Sequence, residues 1–153
     1  ISGVRNDVEI ANLLLEGCAM EIHSTGAQKI VLESVSGMDS VLLSTIDGAI
    51  EMNDVMVGDS GLLEVTTGSG CITTSGGPIG GAAILVHTVT GGVEMMGFGT
   101  KFLMINATSS DIHLEGIADE TIRVKTMYDG SLSGAGSKLI VDGSGILSTY
   151  LIK

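Results

Sequence analysis

A repeat of about twenty residues runs through this 153-residue chain and limits its fold more than any other feature. One type of apolar segment begins at Ile10, Ile30, Ile50, Ile72, Val93, Ile112, Leu132 and Ile152, with spacings between 19 and 22 residues. A fixed period of this length is typical of a solenoid, in which each repeat forms one coil and buries its apolar face against its neighbours.

A second apolar segment lies between successive copies of the first and reads apolar-x-apolar-x-Ser/Thr. Its copies are Met20/Ile22/Ser24, Val41/Leu43/Thr45, Leu63/Val65/Thr67, Ile84/Val86/Thr88 and Ile122/Val124/Thr126, with Leu103/Ile105/Ala107 and Leu139/Val141/Gly143 as variants. Alternation of this kind predicts strands with one buried face, and glycine-rich stretches such as Asp47-Gly48 predict the turns between them. No apolar set recurs at helical spacing.

These patterns predict an all-β fold, a two-sheet parallel β-solenoid of stacked β-arches with about seven coils of ~20 residues. Residues 1–9 are predicted to be a lead-in, and residues 10–153 a single solenoid domain. Like residues should lie above like residues, with the Ser/Thr row at a corner where its hydroxyls can bond one another or the backbone. An irregular sandwich with the same strand spacing is the alternative topology.

Composition and charge exclude two classes of function. The formal net charge is -11 and only seven residues are Lys or Arg, so the chain lacks the basic clusters that bind nucleic acid or anionic membranes. Although 44% of the residues are hydrophobic, the longest apolar runs are far shorter than a membrane span, so no membrane insertion is expected. An acidic, Lys-poor and Ser/Thr/Gly-rich chain favours an extracellular or cell-surface location.

The outward positions of the two strand types differ in character. The first type presents mostly polar residues, whereas the second presents Glu21, Leu42, Glu64, Leu85, Met104, Arg123 and Ile140. A contiguous apolar patch on an outer face marks an interaction surface. We therefore expect Leu42, Leu85, Met104 and Ile140 to pack against another chain or layer.

The two ends of the predicted solenoid carry no sequence that would cap them. Ile10 and Ile152 are both in the predicted register, and no helix is available to cover the last coil. Open strand edges invite further strands unless they are blocked. We expect either a neighbouring domain or another copy of the chain to cover the ends at Ile10 and Ile152.

Two cysteines and one sequon complete the set of candidate modification sites. Cys18 and Cys71 are predicted to lie on different sheets and more than two coils apart, beyond the roughly 7 Å Cα separation that a disulfide allows. We expect two small buried side chains, with an intermolecular disulfide as the alternative. Asn106-Ala107-Thr108 is a candidate N-glycosylation site at Asn106.

Candidates for catalysis or metal binding are weak. Gly58-Asp59-Ser60-Gly61 is similar to the nucleophile loop of trypsin-like proteases, but Leu62 follows where that motif has glycine, and the fragment falls at a coil corner. His23, His87 and His113 are predicted on different coils or faces, too far apart to share a metal. The acidic residues show neither calcium-roll spacing nor a paired arrangement, so we expect no cofactor and no metal. An ice-binding Thr array is disfavoured because the Ser/Thr positions alternate in phase with the core residues and should therefore point inward.

The recurring Ser/Thr-x-x-Gly followed by Ile-x-Met, as in Thr45-Ile46-Asp47-Gly48-Ala49-Ile50-Glu51-Met52, resembles the adhesin-type β-solenoid domains of bacterial surface proteins. Thr88-Val89-Thr90-Gly91-Gly92-Val93-Glu94-Met95 repeats the pattern. The resemblance implies a surface location but no catalytic residues. The apolar outer face departs from that family and is similar in architecture to amyloid-like β-arch sheath and fibre proteins.

We therefore interpret the chain as a non-enzymatic extracellular structural protein that self-assembles through its coil ends and apolar face into a fibre, sheath or surface layer, with itself as partner. The alternative is an adhesin or glycan-binding module of a larger surface protein, which would bind cell-surface glycans. A β-helix enzyme that degrades polysaccharides is a third reading.

Overall fold

The computed structural model describes residues 2–4, 6–26, 28–75, 77–108, 112–125, 130–136, 139–142 and 147–152. Within these residues the regular structure consists of strands, and no helix is present. The strands are β1 (Ser2–Val4), β2 (Val8–Leu14), β3 (Ala19–Ser24), β4 (Ile30–Thr45), β5 (Ile50–Thr67), β6 (Ile72–Thr74), β7 (Ile79–Thr88), β8 (Val93–Ala107), β9 (Ile112–Lys125), β10 (Gly130–Gly136), β11 (Leu139–Asp142) and β12 (Leu147–Ile152).

Successive coils pair in parallel and form a β-solenoid of about five turns. The first column of apolar residues is confirmed, because Ile30 pairs with Ile50, Ile50 with Ile72, Ile72 with Val93, and Val93 with Ile112. The second strand type is also in register, through Met20, Val41, Leu63, Ile84, Leu103, Ile122 and Leu139. Parallel pairing of equivalent residues excludes the irregular sandwich.

The core is a set of ladders along the solenoid axis. Ile30, Ile50 and Ile72 are fully buried in one ladder, and Leu43, Val65 and Ile105 are fully buried in another. In these parallel strands, equivalent apolar residues of successive coils pack on one another in the interior. Each fully buried aliphatic side chain contributes roughly 1.5–3 kcal/mol. Stacking of like residues is therefore the main source of stability.

The buried positions of each long strand fall into three groups separated by breaks in the alternation, which divides the coil into three segments. In β5 the buried positions are Ile50 and Met52, then Val55 and Val57, then Gly61, Leu63, Val65 and Thr67. The sequence repeat predicts the first and third segments but not the middle one. The middle segment has only two inward residues in β5, which is too few for an alternating pattern to appear in the sequence.

A column of residues with positive φ forms the corner between the first and middle segments. Asn12, Ser34 and Asp54 have φ angles of 54°, 52° and 55° and lie between neighbours that pair across the coils. This left-handed conformation is uncommon for residues other than glycine, although Asn and Asp tolerate it best. It turns the chain and shifts the alternation by one residue.

The predicted register is wrong at both ends of the first strand type. Val8 pairs with Ile30, and Ile10 pairs with Leu32, two positions further along the coil. Near the other end Leu132 pairs with Leu114 and with Tyr150, whereas Ile152 pairs with Gly134. A shift of two residues keeps the same side chains inward, so hydrophobic alternation alone could not choose between the registers.

The third segment ends at a corner built from threonine hydroxyls and glycines. Thr45, Thr67 and Thr88 are buried, and each accepts a hydrogen bond from the backbone N–H of the glycine three residues later, at 3.0 to 3.1 Å. Thr45 and Thr67 also donate to a carbonyl of the preceding coil. These bonds confirm the expectation that the Ser/Thr row binds the backbone.

Candidate association surfaces

The predicted outward column of the second strand type is present in the structure. Glu21, Leu42, Glu64, Leu85, Met104 and Arg123 pair in succession from β3 to β9. Leu42, Leu85 and Met104 are each half-buried. Ile140 pairs with Arg123 in the same column, but its side chain lies outside the described residues. The third segment therefore brings the predicted apolar residues into one line, interrupted by Glu64.

A neighbouring column adds two apolar residues that the sequence analysis missed. Leu62 and Phe102 lie two residues before Glu64 and Met104 and point to the same face, and they align with Ser40 and Ala83. Phe102 is 44% exposed, which is unusual for so large an apolar side chain. The two-residue spacing along each strand is the signal that could have identified them.

The column on the other side is polar. It consists of His23, Ser44, Thr66, His87 and Asn106. His23 lies 3.0 Å from Glu21, and both side chains are exposed. Asn106, the candidate glycosylation site, is half-buried in this column, next to Met104 on the same outer face.

We call the column that runs from Glu21 to Arg123 the middle column. A shallow depression of about 310 Å³ lies where this column meets the polar column. Its lining includes Glu64, Leu85 and Met104 from the middle column and Thr66, His87 and Asn106 from the polar column. It therefore combines an apolar floor with a carboxylate, a hydroxyl, an imidazole and an amide. We use the name outer face for the three columns together, from Ala19 to Asn106 and including Arg123.

The N-terminal end of the solenoid leaves core residues uncovered. Ile10, Leu13 and Met20 are only partly buried, whereas their partners Leu32, Val35 and Val41 in the next coil are buried to 1% exposure or less. Leu14 is 67% exposed. Within the described residues β2 pairs with β4 alone, so its other edge presents backbone groups that no strand binds.

A strand pairing and one side-chain hydrogen bond cover part of the N-terminal end. β1 pairs with the end of β3, where Ser2 lies beside His23 and Val4 beside Ser24. The Asp7 carboxylate accepts a hydrogen bond from the backbone N–H of Lys29 at 2.8 Å. At the other end of the chain Ile152 pairs with Gly134, and its side chain lies outside the described residues.

Both cysteines are exposed and free, so the expectation that they are buried is wrong. Each lies at a corner, where its carbonyl accepts a hydrogen bond from the coil before or after: Asp39 N–H donates to Cys18, and Ile50 N–H donates to Cys71. The corner directs these side chains outward because the segments on either side already fill the core. An intermolecular disulfide through Cys18 or Cys71 stays a prediction.

The other sequence candidates lie apart from one another. Gly58-Asp59-Ser60-Gly61 lies within β5, where the chain passes from the middle to the third segment. His23 and His87 are three coils apart, about 14 Å along the axis. Among the described residues, no three side chains of His, Cys, Asp or Glu are grouped so that they could hold a metal ion.

The described part of the chain also contains no helix of the length and apolar character needed to cross a membrane. Comparison with known protein families, with curated proteins and with solved structures gave no match for this chain.

Proposed function

We propose that this chain is a non-enzymatic structural subunit that self-assembles into a fibre, sheath or surface layer outside the cell. It would associate axially through its coil ends and laterally through the outer face, with further copies of itself as partner. The observation that carries the proposal is the uncovered N-terminal end, where Ile10, Leu13 and Met20 remain accessible while their partners one coil later are buried.

Axial association would complete the packing of the first coil. An edge strand offers a row of free backbone groups, and β2 offers them beside apolar side chains that are already aligned with the core. Because these three side chains are already partly buried, completing their burial contributes only part of the roughly 1.5–3 kcal/mol that full burial of an apolar side chain provides. A coil of the same shape from a second copy supplies the matching ladder.

The rod is proposed to contain seven coils and two main faces, the first and third segments of each coil. The pairing of β9 with β10 and β11, and of β10 with β12, supports a continuation of the coils towards the C-terminus. Seven coils at about 4.8 Å would form a rod about 34 Å long. The end formed by β11 and β12 would then meet the uncovered end of the next subunit.

The proposed extracellular or cell-surface location is supported by composition. The chain is acidic, with a formal net charge of -11, and contains 23 glycines but only seven Lys and Arg residues. The resemblance of its repeats to adhesin-type β-solenoids of bacterial surface proteins points in the same direction.

Size-exclusion chromatography combined with negative-stain imaging tests the proposal. Filaments, sheets or a concentration-dependent series of oligomers are expected. A monodisperse rod that stays monomeric at high concentration, with free ends, would contradict self-assembly.

The second candidate is a glycan-binding module, and the depression beside Leu85 favours it. Glu64, Thr66, His87 and Asn106 provide hydrogen-bonding groups around an apolar floor, a combination that is common in sites for small ligands and would suit a sugar ring. Binding to an array of cell-surface glycans, lost in Glu64→Ala and retained in the first-segment variant Glu51→Ala, would support this function over assembly.

A further inference from the structure

The side chains of the outer face differ between its two ends along the solenoid axis. Along the middle column the residues run Glu21, Leu42, Glu64, Leu85, Met104 and Arg123 from β3 to β9. A carboxylate therefore lies at one end of these six strands and a guanidinium at the other, with three apolar residues and a second carboxylate, Glu64, between them. The side-chain sizes in the neighbouring column also change along the axis.

We infer that two copies of this chain pack face to face through the outer face with their solenoid axes antiparallel. The two-fold axis runs along the strand direction, between the rows of Glu64 and Leu85. The inference rests on the proposed self-association and specifies the geometry of its lateral contact. Such an interface is isologous, so every contact described below occurs twice.

Charge complementarity supports the antiparallel arrangement. The two-fold axis places Glu21 of one copy opposite Arg123 of the other, because both are the same number of rows from the axis. Both side chains are exposed in the single chain, and Glu21 would exchange its contact with His23 for one with Arg123. Arg–carboxylate pairs are favourable and directional, so two such pairs fix the register of the faces.

Side-chain size is complementary in the same register. Leu42 faces Met104 of the second copy, which buries apolar side chains on both sides, and Glu64 faces Leu85 beside the two-fold axis. In the neighbouring column the large Phe102 faces the small Ser40, and Leu62 faces Ala83. Sheets that pack face to face need large residues opposite small ones to keep their usual separation of about 10 Å.

The parallel alternative lacks both kinds of complementarity. With the axes parallel, each coil faces its own copy, so that Glu21 meets Glu21, Glu64 meets Glu64 and Arg123 meets Arg123. Like charges brought together out of water weaken an interface. The strand direction is also reversed across this interface, so Phe102 would meet Asn106 of the polar column instead of the small Ser40, and Ala83 would meet His87.

The contact is weak for a single pair of chains. Six strands spaced about 4.8 Å apart and five residues long cover roughly 450 Å² per copy, which is about half of what a stable interface of standard size buries per partner. Axial stacking would repeat the contact along two neighbouring rods and add the contributions. The lateral contact is therefore expected to follow axial association.

Cross-linking between single cysteines tests the geometry. Cys18 and Cys71 are first replaced by serine, and Leu42→Cys and Met104→Cys are then made in separate chains. A short bismaleimide is added to each chain alone and to an equal mixture, under conditions in which the protein associates. In the antiparallel interface Leu42 lies opposite Met104 of the second copy, but about 14 Å, or three coil spacings, from the other Leu42 along the axis.

We expect a cross-linked dimer from the mixture, and several-fold less from either variant alone. Efficient cross-linking of Leu42→Cys to itself would overturn the antiparallel geometry while supporting lateral association. No intermolecular cross-link in any sample, although filaments form, would show that the outer face is not an interface. A protein that never associates would instead contradict the proposed function.

Charge exchange provides a second test that does not depend on cysteines. Arg123→Glu places a carboxylate opposite Glu21 in the antiparallel interface and should lower the yield of laterally associated rods several-fold. Adding Glu21→Arg to the same chain exchanges the two charges and should restore it. In the parallel arrangement Arg123→Glu only replaces one like-charge contact by another, so an unchanged yield would overturn the inference.

Discussion

The hydroxyl of Thr67 donates a hydrogen bond to the carbonyl of Gly48 in the preceding coil, at 3.2 Å, in a fully buried position. The same hydroxyl accepts the backbone N–H of Gly70 at 3.1 Å. The Thr67 hydroxyl oxygen therefore bonds the turn that follows its own strand and also bonds the preceding coil. The corner is therefore specified by side-chain hydrogen bonds as well as by glycine.

Replacing Thr67 by valine should destabilise the fold by about 1–3 kcal/mol, because the buried N–H of Gly70 and the carbonyl of Gly48 lose their partner while the side-chain shape is kept. Urea unfolding measures the change. Thr66→Val, one residue earlier on the half-buried outer face, is the matched control and should change stability by less than about 0.5 kcal/mol. Equal effects in both variants would contradict the structural role of Thr67.

Gly70 should not tolerate alanine, because a Cβ there would overlap the carbonyl of Gly48. The backbone of the two coils would have to separate, so Gly70→Ala is expected to cost more than about 3 kcal/mol or to prevent folding. Gly99→Ala is the control, because a Cβ at Gly99 would meet no atom within 4 Å. Thermal unfolding followed by circular dichroism compares them, and a Gly70→Ala protein as stable as the control would show that the coils are not so closely packed.

Ser34 should accept glycine without loss of stability. Its φ angle of 52° is strained for a residue with a side chain, and relieving the strain offsets the entropy that glycine adds to the unfolded chain. Ser36→Gly, two residues later in the same strand, lacks this compensation and should destabilise by about 0.5–1 kcal/mol. Chemical denaturation of both variants measures the difference, and the reverse order of stabilities would be inconsistent with a left-handed corner at Ser34.

Ile10→Lys should prevent axial association and leave a folded monomer. Ile10 is partly buried at the uncovered end, so its lysine can reach water in the single chain, whereas a coil stacked on it would bury the charge. Sedimentation velocity measures the loss of long species. Ile10→Val is the control and should still associate, and filaments formed equally well by the lysine variant would mean that this end is not a contact.

Leu85→Glu should abolish lateral association while the coil remains folded, because Leu85 points outward and is only half-buried. Val31→Glu introduces the same charge on the first segment, where Val31 pairs with Glu9 on one side and with Glu51 on the other. Negative-stain imaging should show separate rods for Leu85→Glu and bundled rods for Val31→Glu. Bundles that survive in Leu85→Glu would remove the outer face from the proposed assembly.

The central ladders could be predicted from sequence because each repeat carries the same residue types at the same spacing. Ile50, Ile72 and Val93 align as expected, as do Leu63, Ile84 and Leu103. The period of the repeat and the alternation within each strand predict these alignments directly. The predicted alignment of Leu42, Leu85 and Met104 on one outer column follows from the same register.

The corners could not be predicted in the same way. Val8, and not Ile10, aligns with Ile30, because a two-residue shift satisfies the hydrophobic pattern equally well. In this register the left-handed residue Asn12 lies over Ser34. The middle segment was missed because Val55 and Val57 are too few to form a period. Cys18 and Cys71 lie at corners, where residue type says little about direction.

The threonine at each corner bonds no farther than the adjacent turn of the chain: Thr67 reaches Gly48, and Thr45 reaches Gly26. Deleting or duplicating one whole unit, from a threonine to the next, would therefore leave every remaining junction with the same bonding partners. We therefore expect variants that are one unit of about twenty residues shorter or longer to keep the same pattern of corner bonds.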